Sequence, residues 1–296
     1  WLFEMERIWS LKDELRFSDK QEIEKAYRQF ISRISKKVFQ LKYRTYLYST
    51  LKYAAIIIVA SLLSINLYKM FTPSEPELMN EVCVPKGQRV NLTLSDGTKV
   101  ALNSDTKFKY PSHFAKNSRN VELCGEAYFK VAHNAYKPFI VSSCLIHVKV
   151  LGTKFNMKTY PDEKAVVTLN EGRVEVESAN KEDKLTLHPN EEVSYSESEG
   201  MKPVCVNALN SYISNSWVKG ESIYIDKTLS EICQGLERKY NVNIIIADSD
   251  LAKDVFTCHF KETASINEVM KLLKETRRMN YSFNGDQIWI VKPIKR

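Results

Sequence analysis

Apolar residues form their densest run at residues 51–71, which hold few polar side chains and no acidic one. A helix needs about 20 predominantly apolar residues to cross a bilayer, so the pattern predicts one transmembrane helix over residues 49–71. Residues 33–52 hold six basic and no acidic side chains, whereas residues 72–81 hold three glutamates and no basic residue. Because cytoplasmic flanks of membrane helices are enriched in Lys and Arg, we expect the N-terminus in the cytoplasm.

A buried core helix or a signal peptide can also contain such an apolar run. Tyrosines and lysines at both ends of the run are typical of a membrane interface and disfavour the core helix. About fifty residues precede the run, which disfavours a signal peptide, since that has its apolar region near the chain start. The chain opens on Trp1 rather than Met, so we expect further sequence ahead of it.

The segment ahead of the span, residues 1–48, has apolar residues at helical spacing behind a capping-box pattern, Ser18 with Gln21. So short a segment cannot bury much core by itself. Its apolar stripe is therefore predicted to dock on a cytoplasmic protein, although a helix that merely continues to the span as a stalk gives the same pattern. The stripe residues that we expect at the contact are Ile23, Tyr27, Phe30 and Ile34.

After a proline-containing linker at residues 72–80, the pattern changes to short alternating runs with turn signals between them. This pattern is typical of a β-sandwich or a related all-β fold, and we assign it to residues 81–198. The predicted strands cover residues 90–94, 99–102, 121–123, 127–132, 139–142, 146–151, 154–159, 165–169, 173–177, 184–187 and 192–196.

Residues 199–296 are predicted to form a small α+β domain. From Trp217 the order is strand, helix, strand, strand, helix, strand, strand. Shifting the first helix by 37 residues aligns Leu229 with Ile266 and Leu236 with Leu273, which indicates a weak repeat of a βαβ unit. Two unrelated amphipathic helices could align equally well, so this alternative stays open.

Composition excludes some functions. The net charge of +7 is concentrated in residues 1–52, which hold 12 basic and 7 acidic side chains, so a DNA-binding face is not indicated. All six cysteines follow the span, as expected for an oxidising compartment, although several could be small buried apolar residues, as we expect for Cys233. The five histidines show no metal-ligand spacing, so neither a metal site nor a cofactor is predicted.

No glycine-rich phosphate loop, serine-hydrolase elbow or zinc-protease motif occurs, so we do not expect an enzyme. One dipeptide could still carry chemistry. Gly152-Thr153 lies between two predicted strands, and a threonine hydroxyl can attack the preceding carbonyl in a strained peptide. Self-cleavage there competes with the simpler interpretation as a strand-to-strand turn.

From about residue 80 to the end, together with the span, the chain resembles the FecR-type transmembrane anti-sigma factors. The motifs that carry the resemblance are PKGQ at 85–88, LSDGT at 94–98, VALN at 100–103, YP at 110–111 with Phe114, RNVELCGEAYFKV at 119–131, KPFIV at 137–141, VLGTKFN at 150–156 and LNEGRV at 169–174. Ser95 stands where the family usually has proline. Cys124 and Cys144 are not part of the family pattern.

The resemblance implies a bacterial inner-membrane protein with a single span and with its C-terminal domains in the periplasm. Its cytoplasmic helices would hold an extracytoplasmic-function sigma factor through the stripe described above. Its C-terminal domain resembles the STN-like signalling domains and would receive the signalling domain of a TonB-dependent outer-membrane transporter. Membrane proteases would then release the sigma-bound fragment, and some family members cleave themselves at a Gly-Thr. The alternative function is a membrane-anchored module that binds a small ligand directly with its β domain.

Overall fold

The computed structural model describes residues 3–7, 20–71, 78–205, 208–276 and 279–292. The chain consists of two compact units, Trp1–Glu75 and Pro76–Arg296. The first unit is helical where it is described, and the second holds the β domain and the small α+β domain. The fold is thus mostly β with a small helical part.

A single helix, α1, spans Lys20–Phe71. Its 52 residues give a length of about 78 Å at 1.5 Å per residue. Leu51–Tyr68 within α1 has a mean hydropathy of 1.7 and is long and apolar enough to cross a membrane. The amide of Asn66 donates to the Leu62 carbonyl at 2.8 Å, so this polar side chain is satisfied by its own helix. The predicted border at residue 48 is not marked by any break in α1.

Thirteen strands within the described residues of the second unit form its β domain. They are β1 Met79–Val84, β2 Val90–Thr93, β3 Lys99–Leu102, β4 Thr106–Pro111, β5 Arg119–Lys130, β6 Phe139–Ser142, β7 Ile146–Val150, β8 Lys154–Thr159, β9 Ala165–Glu171, β10 Val174–Ser178, β11 Lys184–Leu187, β12 Glu191–Ser196 and β13 Gly200–Cys205. All eleven predicted strand regions overlap these strands, two of them β5, and four extend beyond the strand by one or two residues. The sequence analysis missed β1, β4 and β13.

β5 belongs to two ladders. Its first half pairs with β4 and β6, and its second half pairs with β3 and β8. The strand passes from the first ladder to the second at Gly125, which has φ +127°. A Cβ at this position would lie 2.7 Å from Thr106 Cα. Glycine is needed here for both the backbone angle and the close approach. The two predicted strands at 121–123 and 127–132 are therefore one bent strand.

The two ladders enclose one apolar core, because alternate residues of each strand point to the same side. β5 shows this directly, with Val121, Leu123, Ala127 and Phe129 all buried. Phe129 stacks on Phe155 of β8 at a ring separation of 4.9 Å. The β-sandwich interpretation of the sequence agrees with this arrangement.

The remaining elements form the α+β module. They are α2 Ala208–Asn215, a 3₁₀ turn Ser216–Lys219, β14 Ser222–Thr228, α3 Leu229–Tyr240, β15 Asn243–Ile246, α4 Ser249–Ala252, β16 Val255–Phe260, α5 Ile266–Thr276, β17 Asn280–Asn284 and β18 Gln287–Val291. β14 pairs with β16, and a second sheet has the order β15-β18-β17. The predicted order of strands and helices is confirmed, with α4 as an additional short helix.

The hydrogen bonds that cap the N-termini of α3 and α5 also follow the 37-residue repeat. The Thr228 hydroxyl accepts from the Glu231 amide at 3.3 Å, and the Ser265 hydroxyl accepts from the Glu268 amide at the same distance. In each pair the glutamate accepts in return from the amide of the capping residue. Two capping boxes at the same offset as the aligned apolar residues support a real repeat.

Two borders of the predicted layout fall inside strands or hairpins. β1 begins at Met79, within the predicted linker at 72–80, and residues 72–77 lie outside the described part of the chain. β13 pairs with β12 throughout its length, so the ladder continues past residue 198 to Cys205. The turn at residues 197–199 closes the β12–β13 hairpin.

Candidate functional site

The predicted sigma-binding residues lie on α1. Tyr27, Phe30 and Ile34 are 64%, 50% and 40% exposed, and Ile31 between them is 46% exposed. Positions separated by three, four and seven residues share one helix face, so these four side chains form an unpartnered apolar stripe. Ile23 lies in α1, but its side chain is outside the described residues. Such a face can bind a partner in the helix-in-groove mode.

Gly152 and Thr153 connect β7 to β8. Thr153 is 4% exposed, and its hydroxyl donates to the Arg173 carbonyl at 3.0 Å. Its own carbonyl accepts from the Val131 amide at 3.0 Å. The hydroxyl is therefore oriented by the fold, although a carbonyl oxygen is too weak a base to activate it.

His133 fills the space around Gly152. A Cβ there would lie 2.5 Å from His133 Nδ1 and 2.7 Å from His133 Cα, so a larger residue does not fit. A Cβ on Gly172 would similarly lie 3.0 Å from Thr153 Oγ1 and 3.1 Å from the Gly152 carbonyl oxygen. Gly152 does not adopt a left-handed φ, so the observed constraint on this peptide is crowding by its neighbours.

A buried arginine supports the same connection. Arg119 is 2% exposed and donates from Nη1 to Asp96 Oδ2 at 2.7 Å and to the Ala132 carbonyl at 2.8 Å. Its other nitrogens reach the Lys137 carbonyl at 2.9 Å and the Leu151 carbonyl at 3.4 Å. Arg119 thus ties the residue before Gly152 to the turn at 95–98. A buried charge with this many acceptors is not visible in a sequence pattern.

The β domain and the α+β module meet at a polar junction around Arg238 of α3. Its guanidinium pairs with Glu163 and lies 3.9 Å from the centre of the Tyr160 ring. Lys158 Nζ lies 2.6 Å from Glu163. Burial by itself raises the pKa of Glu163, but the charges and hydrogen bonds of Lys158 and Arg238 outweigh it and lower that pKa.

Two further contacts extend the junction. The Trp217 indole donates to Asn156 Oδ1 at 3.1 Å, and Arg89 Nη2 lies 2.9 Å from Glu262 Oε1. A cleft of about 510 Å³ lies beside the Arg89–Glu262 pair. These residues are 61 and 173 positions apart in the chain, so no local signal could have predicted their contact. Among the described residues, no group of three or more acidic, histidine or cysteine side chains is placed to hold a metal.

Comparison with known proteins identifies a family and two crystal structures that are similar to this chain. Residues 80–175 match the family described as FecR protein, and residues 222–290 match the family described as FecR, C-terminal. Two crystal structures of a candidate anti-sigma factor from Parabacteroides distasonis ATCC 8503 align with TM-scores of 0.67, at 29% and 30% identity. Each alignment covers 73% of this chain and 100% of the crystallised chain. A search of curated proteins found no match. The chain therefore belongs to the FecR family.

Proposed function

We propose that this protein is a regulator, and not an enzyme, that holds an extracytoplasmic-function sigma factor at the inner membrane. The observation that carries the proposal is the exposed stripe of Tyr27, Phe30, Ile31 and Ile34 on the helix that also contains the apolar span. An exposed apolar helix face is favourable for binding a partner. Its FecR membership and its similarity to a candidate anti-sigma factor support a sigma factor as that partner.

The test uses the full chain in detergent with candidate sigma factors, and Phe30→Asp as the perturbing variant. A charge at the centre of an apolar interface should weaken binding by about tenfold or more. Gln29→Asp is the matched control, because residue 29 lies on the opposite face of α1 and is also exposed. Equal binding by both variants, or no binding of any encoded sigma factor by the unaltered chain, would refute the proposal.

The proposal places the N-terminus in the cytoplasm and the unit Pro76–Arg296 in the periplasm. There the α+β module would receive the signalling domain of a TonB-dependent outer-membrane transporter. The edge strands β15 and β17 of its three-stranded sheet support strand addition as the binding mode. Membrane proteases would then cut the chain near the span and release the sigma-bound fragment.

Self-cleavage between Gly152 and Thr153 is the least supported part of this scheme, since the observed geometry orients the hydroxyl without activating it. Strand β8 begins directly after Thr153 and pairs with β5 and β9. The two pieces would therefore stay associated after a cut, and a native preparation would hide it. Mass spectrometry under denaturing conditions decides the point: two fragments that Thr153→Val abolishes support cleavage, and an intact unaltered chain excludes it.

A further inference from the structure

Two cysteines lie in one row of a ladder in the β domain, and a third lies in a nearby turn. Cys83 pairs with Lys107, and Lys107 pairs with Cys124, across β1, β4 and β5. Cys144 lies in the turn that connects β6 to β7. The turn is closed by the Ser143 amide, which donates to the Ile146 carbonyl at 3.0 Å.

The strand register brings Cys124 and Cys144 together. β5 and β6 run parallel, and their last recorded pair is Glu122 with Ser142. Each cysteine follows its member of that pair by two residues, so the register places Cys124 beside the turn that holds Cys144. Neighbouring strands lie about 4.8 Å apart, and disulfides form between Cα atoms separated by about 4.4–6.8 Å. The two cysteines thus lie close to one another at the end of the β5–β6 ladder.

The two thiols differ in their exposure and in the charges around them. Cys144 is exposed and Cys124 is partly buried. Burial raises the pKa of Cys124, and the charge of the neighbouring Cys144 raises it further. The Lys107 ammonium acts in the opposite direction and favours the Cys124 thiolate. Cys144 is therefore the accessible first nucleophile, and Cys124 is the one beside it.

The other described cysteines are poor alternatives. Cys83 is two strands from Cys124, about 10 Å away, which is too far for a bridge without backbone movement. Cys233 is 3% exposed inside the α+β core, where burial raises its pKa to about 12. Burial also raises the pKa of Cys258, to about 11. Both thiols are accordingly unreactive near neutral pH.

We propose that Cys124 and Cys144 form a disulfide that joins β5 to the β6–β7 turn. The Cys144 thiolate attacks an external disulfide, such as oxidised glutathione, and releases one thiol as it forms a mixed disulfide. The Cys124 thiolate then attacks the Cys144 sulfur and releases the second thiol. The pair loses two electrons and two protons, and the external disulfide is reduced to two thiols. This disulfide would form whether or not the chain binds a sigma factor.

The test maps the bridge in the full chain, in detergent, after equilibration with glutathione buffers from reducing to oxidising. Free thiols are blocked at low pH before trypsin digestion. Trypsin cuts after Arg119, Lys130 and Lys149 but not between Lys137 and Pro138, so the two cysteines fall in separate peptides, 120–130 and 131–149. We expect these peptides to appear joined in oxidising buffer, with a combined mass lower by two hydrogen atoms.

Two variants test whether the bridge joins Cys124 to Cys144 and not another pair of cysteines. Cys83→Ser should keep the joined peptides, because it removes an exposed cysteine of the same face that lies too far away. Cys144→Ser should abolish them, and its exposed position makes the change compatible with folding. The proposal is overturned if Cys124 and Cys144 stay separately blockable in oxidising buffer, if each takes up glutathione alone, or if either joins Cys83 instead.

Discussion

Replacing the buried Arg119 by methionine tests whether the polar cluster at the base of β8 holds the β domain together. Methionine fills similar space but carries no charge and no donor. The change leaves the Asp96 carboxylate, whose side chain is 15% exposed, without its cation. It also removes the donors to three carbonyls, of Ala132, Lys137 and Leu151.

Removing one partner of a buried ion pair costs about 3–5 kcal/mol, because an uncompensated charge stays behind. Unsatisfied carbonyls add to this, although water can reach some of them once the guanidinium is gone. We therefore expect Arg119→Met to lower the free energy of unfolding by about 4 kcal/mol. Lys149→Met is the control, because the Lys149–Glu175 pair is exposed and 3.9 Å long, and such pairs contribute about 0–1 kcal/mol.

The assay is urea unfolding of the fragment 76–296, which is one compact unit that contains both apolar cores. A lower midpoint at an unchanged m-value reports lost stability. In an Asp96→Asn background the cost of Arg119→Met should fall by about 1–3 kcal/mol, since the charge that it would strand is absent. A loss no larger than that of Lys149→Met, or an equal loss in both backgrounds, would refute the reasoning.

Two further predictions concern the bend in β5 and the polar junction. Gly125→Ala should cost about 2 kcal/mol or more in the same urea assay, because the new Cβ would lie 2.7 Å from Thr106 Cα at φ +127°. Gly97→Ala, at φ +85° with open space around it, should cost about 1 kcal/mol, and equal costs would contradict the packing argument. The fold lowers the pKa of Glu163 from 4.5. The ionised carboxylate therefore stabilises the folded state at pH values above the unfolded pKa, and this contribution is lost as the pH falls through the folded pKa. The drop in unfolding free energy between about pH 6 and about pH 3 should be smaller in Glu163→Gln, and identical pH profiles would exclude this role.

The sequence predicted the β domain well where alternation and turn residues act locally. The Asp96-Gly97 pair, with β2 before it and β3 after it, is such a case, and both strands are confirmed. β1 and β4 were missed because they carry lysine, glutamate and asparagine, which have low β propensity. The bend at Gly125 divided one strand into two predicted ones, because a glycine inside a strand is indistinguishable from a turn until its neighbours are known.

The candidate sites were likewise predictable from the sequence only where the signal is local. The stripe on α1 could be predicted, since three- and four-residue spacing is a local property. The surroundings of Thr153 could not, because Arg173, His133 and Gly172 reach it from other parts of the chain. The Cys124–Cys144 pair needed the β5–β6 register, which connects residues 20 positions apart and depends on the whole ladder.

The continuity of α1 bears on what proteolysis would release. Ile34 and Leu51 are about 17 residues apart in one unbroken helix, so about 26 Å of helix separates the stripe from the apolar run. A cut inside that run would leave the whole stripe on the released piece but would remove much of the helix that follows it. Isolated helices gain little stability from propensity alone. After such a cut, packing of Tyr27, Phe30 and Ile34 against the partner, rather than the bilayer, would keep this segment helical. Under the proposed cleavage, the fragment would then stay folded only as long as it stays bound to its partner.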